Sequence, residues 1–415
     1  MAQIDMTGAA PDRHPLVIFL IFLRLGLTSF GGPIAHLGYF RAEFVTRRRW
    51  LDEAGYADLV ALCQFLPGPA SSQVGMALGL GRAGYAGALA AWLGFTLPSA
   101  LALLVLALGL RQQPELALQP LFHGLKVVAV AVIAQAVWGM ARQLCPDRTR
   151  VTLMALCASA VLLYPTASLQ LLVLLLAGIA GLWLCPALPT QLTTERPCPI
   201  SRRGALGWLL LFAILLLALP WLAQQFPESL FPPLALFYRT GALVFGGGHV
   251  VLPLLQSELV STGRLDGDLF LAGYGAAQAV PGPLFTFAAF AGAALNEPLG
   301  GFTSGVACLL ALFAPAFLLL AASLPFWHAL RQQPRLCAAL AGVNAGVVGL
   351  LLAALYDPVW TSSIHSAGDL VLALLAFIAL QFWRLPPWLV VLGCGVAALL
   401  LARYTRAATA TSLRL

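Results

Sequence analysis

Charge is what this sequence has least of. Of its 415 residues only 9 % are charged, against 60 % that are apolar, whereas a soluble domain carries about 25 % charged residues. A soluble fold is excluded on that ground, and an all-α polytopic membrane protein is expected. Lysine is almost missing: Lys126 is the single one among 23 basic residues, so 22 are arginine. The net charge of +7 does not point to nucleic acid, because arginine-rich loops between apolar spans orient a chain in a bilayer. Eight cysteines are present, none at metal spacing. Cys63, Cys157, Cys308, Cys337 and Cys394 lie in apolar runs, where a free thiol behaves as a small hydrophobe. No metal, cofactor or disulfide framework is therefore expected. A Gly-x-x-x-x-Gly-Lys-Ser/Thr loop is lacking, which argues against ATP-driven transport by this chain. No nucleophile accompanied by a base is evident, so the chain is not read as an enzyme. The first apolar run has no small-residue cleavage site, and no cleavable signal is expected.

Glycine and proline are plentiful instead, at 39 and 28 residues, and they fall in a phrase used twice. The first copy reads Arg24-Leu-Gly-Leu-Thr-Ser-Phe30-Gly31-Gly32-Pro33, followed by Gln64-Phe-Leu-Pro67-Gly68-Pro69. The second reads Arg239-Thr-Gly-Ala-Leu-Val-Phe245-Gly246-Gly247-Gly248, followed by Gln278-Ala-Val-Pro281-Gly282-Pro283. Glu43 and Glu258, Pro98 and Pro315, and Gly124 and Gly342 continue the match at nearly constant offset. This internal repeat organises the whole chain.

Residues 16–31 form a short apolar run, and Pro33 is placed to start a second helix. Residues 54–66 and 70–81 are each too short to span a bilayer, which takes about 20 residues. Joined at Pro67-Gly68-Pro69, they predict a re-entrant hairpin. Longer runs at 85–110 and 121–141 precede a tight pair at 151–164 and 168–184. The polar stretch 186–203 reads as a linker, and 204–222 as one ordinary span. The closing pair at 367–383 and 387–403 mirrors 151–184. Three units follow: residues 1–185 as a first repeat, 186–230 as linker with one connecting helix, and 231–415 as a second repeat.

The charges relate the halves. Arg47, Arg48, Arg49, Arg82, Arg142, Arg148 and Arg150 border the first repeat's segments. Equivalent places in the second hold Glu258, Arg264, Asp266, Asp268, Asn296, Glu297, Asp357 and His365, mostly acids or neutral residues. If basic loops face the cytoplasm, the halves lie in opposite orientations, as inverted-topology repeats with broken helices. The N-terminus is then cytoplasmic and the C-terminus periplasmic, although Arg403, Arg406 and Arg414 run against the latter.

Inverted repeats with broken helices place substrate near the midplane between halves. Helices restarting after Pro69 and Pro283 present unpaired N–H groups and a positive dipole end, which suits an anion. The candidate binding residues are Gly31, Gly32, Gly68, Gly246, Gly247 and Gly282 at the breaks, with Ser71, Ser72 and Thr286 as hydroxyl donors. Gln64 and Gln278 stand to bond ligand or to satisfy the hairpin backbone. Arg24 and Arg239 hold equivalent places and offer planar bidentate donors to an oxyanion; snorkelling to the interface is the alternative. Lys126 is a further candidate for the anion, or reaches headgroups. Glu43 and Glu258 are candidates to carry a coupling proton or to pair with Arg24 and Arg239. His36 and His249, near the breaks but not equivalent, read as packed or interfacial.

Together these motifs resemble the chromate ion transporter family in its long, two-domain form. The resemblance rests on Phe30-Gly31-Gly32-Pro33-x-x-His36-Leu37, both Gln-x-x-Pro-Gly-Pro motifs, and Phe245-Gly-Gly-Gly-His249. It covers about residues 16–405. The resemblance implies about 13 crossings in antiparallel halves and proton-motive export of chromate across the bacterial inner membrane, giving chromate resistance. A sulfate or other oxyanion carrier, working inward, and an anion channel are the alternatives. The partners expected are a small inorganic oxyanion, protons and the lipid bilayer, with a homodimer open.

Overall fold

The computed structural model describes residues 13–112, 119–185, 200–245, 248–296, 298–331 and 333–398. Among these, every regular element is helical. The expected break glycines Gly246 and Gly247, most of the polar linker and the C-terminal arginines lie outside the described residues.

The first half runs α1 (Pro15–Thr28), α2 (Gly32–Arg41), α3 (Glu53–Phe65), α4 (Ala70–Gln112), α5 (Gln119–Leu144), α6 (Arg148–Leu163) and α7 (Ala167–Leu184). Helix α8 (Arg202–Gln225) connects it to the second half. There the order is α9 (Phe231–Leu243), α10 (Val251–Leu259), α11 (Gly267–Ala279), α12 (Phe287–Ala293), α13 (Phe302–Ser323) and α14 (Trp327–Arg331). The chain ends through α15 (Pro334–Ala354), α16 (Thr361–Ser363), α17 (Ala367–Gln381) and α18 (Pro387–Ala398).

Local chemistry sets the boundaries. Asp52, Asp147, Thr166, Ser201, Asp266 and Ser366 each cap a helix by accepting a main-chain N–H with the side chain, which satisfies a donor left free in a first turn. Helix α2 continues into a π-helical turn, Ala42–Arg47, ahead of the Arg47–Trp50 cluster. Helix α4, at 43 residues, would be about 65 Å long if straight. Non-helical angles at Ala83 and Gly84 divide it into the two arms expected from sequence. Beside that corner the Arg82 guanidinium lies 4.7 Å from the centre of the Trp50 ring, a cation–π contact.

Among the described residues, five helical stretches are long and apolar enough to cross a membrane: Ala70–Arg111, His123–Leu144, Arg202–Gln225, Phe302–Phe326 and Pro334–Ser363. Shorter apolar helices, among them Pro15–Thr28, Ser168–Leu184 and Ala367–Gln381, accompany them. Helix α8 is the most exposed of the five, showing Leu206, Leu210, Leu217 and Trp221 outward. An apolar helix with so little cover is suited to lipid contact.

Each half packs its first helix on its long arm, α1 on α4 and α9 on α13. Small residues allow the approach. A Cβ at Gly26 would meet the carbonyl oxygens of Gly94 and Phe95 at 2.8 Å, and one at Gly241 would strike the Leu312 carbonyl. The closing pairs are exchanged between halves. Helices α6 and α7 pack on α15, whereas α17 packs on α5. Val128, Val132, Val390, Val391 and Cys394 form one buried cluster, which brings α18 onto α5 as well. A Cβ at Gly124 would lie 2.8 Å from the Cys394 carbonyl oxygen, and one at Gly342 would lie 2.8 Å from the Gly181 Cα. Gly124 and Gly342 are the pair matched in the repeat, so the exchange is reciprocal.

Candidate functional site

Helix α1 stops at Ser29, and the chain turns through Gly31 (φ 101°) and Gly32 (φ 76°) before Pro33 opens α2. Helix α9 stops likewise at Val244. Between α3 and α4, and again after α11, the Pro-Gly-Pro motifs turn the chain with Gly68 at φ 115° and Gly282 at φ 105°. Only glycine holds that backbone region without strain.

These four breaks meet in pairs across the halves. The Gly68 N–H donates to the Val244 carbonyl at 2.7 Å, and the Gly282 N–H donates to the Ser29 carbonyl at 2.9 Å. Ser29 and Val244 are equivalent in the repeat, as are Gly68 and Gly282. Each hairpin of one half thus satisfies the broken helix of the other, with main-chain groups that would otherwise be orphaned. Behind Gly68 an added Cβ would meet Ala316; behind Gly282 it would meet Ser99, the residue equivalent to Ala316.

Around the Gly282–Ser29 crossing the side chains are polar. His36 is 1 % exposed, with its Nδ1 3.4 Å from the Ser71 hydroxyl in the first turn of α4. Its ring stands edge-on to Phe95 at 5.2 Å. Ser72 and Gln73 follow, both buried; the Gln73 amide turns to the other crossing, its nitrogen donating to the Pro67 carbonyl at 2.9 Å and the Ala316 carbonyl at 3.3 Å. Gln64 is exposed at the end of α3, and Gln278 is half-buried at the end of α11.

The repeated arginines part company. Arg24 is exposed on α1. Arg239 is half-buried and bonded to the Glu258 carboxylate, the pairing expected for that half. It lines a small cleft whose wall also includes Thr240, Ser257 and Gln170 of α7 from the other half. Glu43 does not pair with Arg24. It accepts from Arg48 Nε at 2.6 Å and from Arg47 at 3.1 Å. Burial would raise its pKa, but the hydrogen bonds and charges of Arg48 and Arg47 outweigh it and hold the carboxyl below its ordinary value. Lys126 reaches toward the first turn of α11, where Nζ donates to Asp268 at 2.8 Å. Asp268 is itself 68 % exposed.

The sequence reading has His36 and His249 as packed or interfacial, and His36 is packed, edge-on to Phe95. Each ring also lies against a hydroxyl, His249 Nδ1 being 2.6 Å from that of Tyr274. The signal available was their place within four residues of each glycine break. Among the described residues no group of three His, Cys, Asp or Glu side chains is arranged to hold a metal ion.

Broken helices bonded crosswise at the meeting of two halves define a multi-pass, all-α membrane protein of transporter type. Comparison with known proteins carries this to a family. The chromate transporter family model matches residues 16–182 and again 233–399, and the chain belongs to that family. It is 31 % identical to a chromate transport protein of Pseudomonas aeruginosa over 364 residues, covering 84 % of this chain and 81 % of that protein. A chromate transport protein of Cupriavidus metallidurans is 26 % identical, with 94 % of both chains covered. An uncharacterised transporter of Methanocaldococcus jannaschii is 28 % identical over 81 % of this chain and 83 % of its own. No solved structure matches the chain.

Proposed function

We propose that this protein is a secondary carrier that exports chromate from the bacterial cytoplasm at the expense of the proton-motive force, conferring chromate resistance. The observation that carries the reading is the crosswise bonding of Gly68 to Val244 and Gly282 to Ser29. It gathers four helix breaks at the interface of two repeats, where irregular backbone survives at membrane depth only if buried or lining a cavity. On this reading residues 1–185 and 231–415 are inverted repeats joined by α8. The chain crosses the inner membrane about 13 times, with a cytoplasmic N-terminus and a periplasmic C-terminus.

The electrical gradient favours export of a dianion. With the interior negative by 100 mV, two charges leaving release about 4.6 kcal/mol, roughly a 2,000-fold gradient. Arg239 supplies a cation at the interface, and Glu258 is the carboxylate an incoming oxyanion would displace. Glu258 is also the better of the two proton-coupling candidates, since Glu43 is held by two arginines. Chromate and sulfate are both tetrahedral dianions, and size alone separates such ligands poorly. A sulfate carrier is therefore the second reading.

The test is chromate uptake into proteoliposomes under an imposed pH gradient, with sulfate as competitor, for wild type and Arg239→Ala. Gradient-driven, saturable uptake lost in the variant is the expected result. Uptake that ignores the pH gradient sinks proton coupling. Non-saturating flux replaces the carrier with a channel, and strong sulfate inhibition makes chromate one oxyanion among several.

A further inference from the structure

The two crossings are equivalent in backbone and opposite in chemistry. At the Gly282–Ser29 crossing the walls are Ser29, His36, Ser71 and Ser99, with Thr96 beside Phe95 on the same arm. The repeat places Val244, Val251, Phe285, Ala316 and Phe313 at the corresponding positions of the Gly68–Val244 crossing. Phe285 and Phe313 touch, with ring centres 6.1 Å apart, where the first repeat has Ser71 and Thr96. One crossing is walled by apolar side chains and the Gln73 amide, whose Nε2 is spent on the Pro67 and Ala316 carbonyls; the other is lined with hydroxyls and an imidazole.

The segments that form the polar crossing also carry unpaired polar atoms. Ser29 Oγ, His36 Nε2, Ser72 Oγ and Thr96 Oγ1 are buried without a hydrogen-bond partner, and all four residues are at most 2 % exposed. Buried polar atoms are paired in the great majority of cases, so four orphans on neighbouring segments of one repeat call for a partner. The contrast with the second repeat is direct. Thr286, at the position of Ser72, spends its hydroxyl on the Pro283 carbonyl at 2.7 Å, whereas the Ser72 hydroxyl is idle. The first turn of α4 adds main-chain donors. Gln73 is the first residue there to bond back, to the Pro69 carbonyl, which leaves the N–H groups of Ala70, Ser71 and Ser72 outside the helical ladder. These lie at the positive end of the helix dipole.

We infer that the oxyanion is bound at one crossing only, by the neutral donors Ser71, Ser72 and His36 and the α4 N-terminus, while the other crossing, where the Gln73 amide nitrogen is already spent on main-chain carbonyls, serves as a pivot. The inference rests on the oxyanion-carrier reading and deepens it. A tetrahedral oxyanion offers acceptor oxygens in several directions, which matches donors supplied by α2, by α4 and by the end of α1. The helix end and hydroxyls supply partial positive charge without burying a second ion. Arg239 then acts outside this site, at the cleft with Glu258, on the path to it and not as the ligand cradle.

The test is direct binding of potassium chromate, then of potassium sulfate, to the purified full chain in detergent, by calorimetry. Ser72→Ala and His36→Gln are compared with Val251→Thr, which adds a hydroxyl to the other crossing. Losing one hydrogen bond to a charged ligand corresponds to roughly ten- to hundredfold weaker binding. That loss is expected for Ser72→Ala and His36→Gln, with Val251→Thr within about twofold of wild type. Wild-type affinity retained in Ser72→Ala overturns the assignment while leaving the carrier reading in place. Binding to neither salt by wild type overturns both. Should His36→Gln not give a monodisperse protein, Ser72→Ala decides alone, because it removes one atom from a helix first turn and disturbs no packing.

Discussion

Gly342 on α15 is where the exchanged architecture can be tested most sharply. A methyl group there would lie 2.8 Å from the Gly181 Cα and 2.9 Å from its nitrogen, and closer still to the Ala177 carbonyl. All of these are main-chain atoms of α7, so no side chain can turn aside. Carbon atoms rest at about 3.5–4.0 Å, so Gly342→Ala forces α15 and α7 apart by roughly 1 Å. Overpacking of that kind costs about 1–3 kcal/mol. The matched control is Gly139→Ala on α5, where an added Cβ meets nothing within 4 Å and alanine gains up to about 1 kcal/mol of helix propensity. Thermal unfolding of the purified protein in detergent, followed by loss of the monodisperse peak, reads both. The midpoint is expected to fall by several degrees in Gly342→Ala and to hold or rise in Gly139→Ala. Equal midpoints in the two variants would refute the contact between the second half's long helix and the first half's closing pair.

Asp147 caps α6 through the Arg150 N–H at 2.9 Å, and that bond, with the Arg150 guanidinium, holds its pKa below the ordinary aspartate value. Its contribution is therefore present at neutral pH and is lost as pH falls through the carboxylate range. Asp147→Ala should cost about 1 kcal/mol and flatten the acid limb of the stability–pH curve. Gly282→Ala places a Cβ 2.9 Å from the Ser99 hydroxyl at a φ of 105°. Flux in proteoliposomes should collapse in this variant, with a smaller loss when Gly109 on α4, which has open space around it and no positive φ, becomes alanine.

Much of this structure could be read in advance because glycine and proline act locally. The breaks at Gly31–Pro33 and Pro67–Pro69 and the corner after Arg82 all fall where the sequence places them. Partner choice could not be read the same way. The closing helices α7, α17 and α18 are apolar along most of their length, and nothing in such a surface states which long helix it will cover. Contacts between α7 and α15 join residues more than 150 positions apart, beyond the reach of periodicity. Equivalence in the repeat predicted like roles for Arg24 and Arg239, yet one is exposed and the other ion-paired. Equal spacing makes equal backbones; the residues lining them are free to diverge, as Ser71 and Phe285 have done.

The exchanged closing pairs make the two repeats interdependent. A chain carrying only the first repeat would leave α5 without its cover and α6–α7 without the long helix they wrap. Neither deficiency can be met from within. Cutting the protein in the linker should yield two pieces that are each insoluble in isolation and recover a folded core only when made together. Conversely, any ancestor built from a single repeat had to pair with a second copy to close its own core, and fusion of the two copies through α8 turned an intermolecular embrace into an intramolecular one.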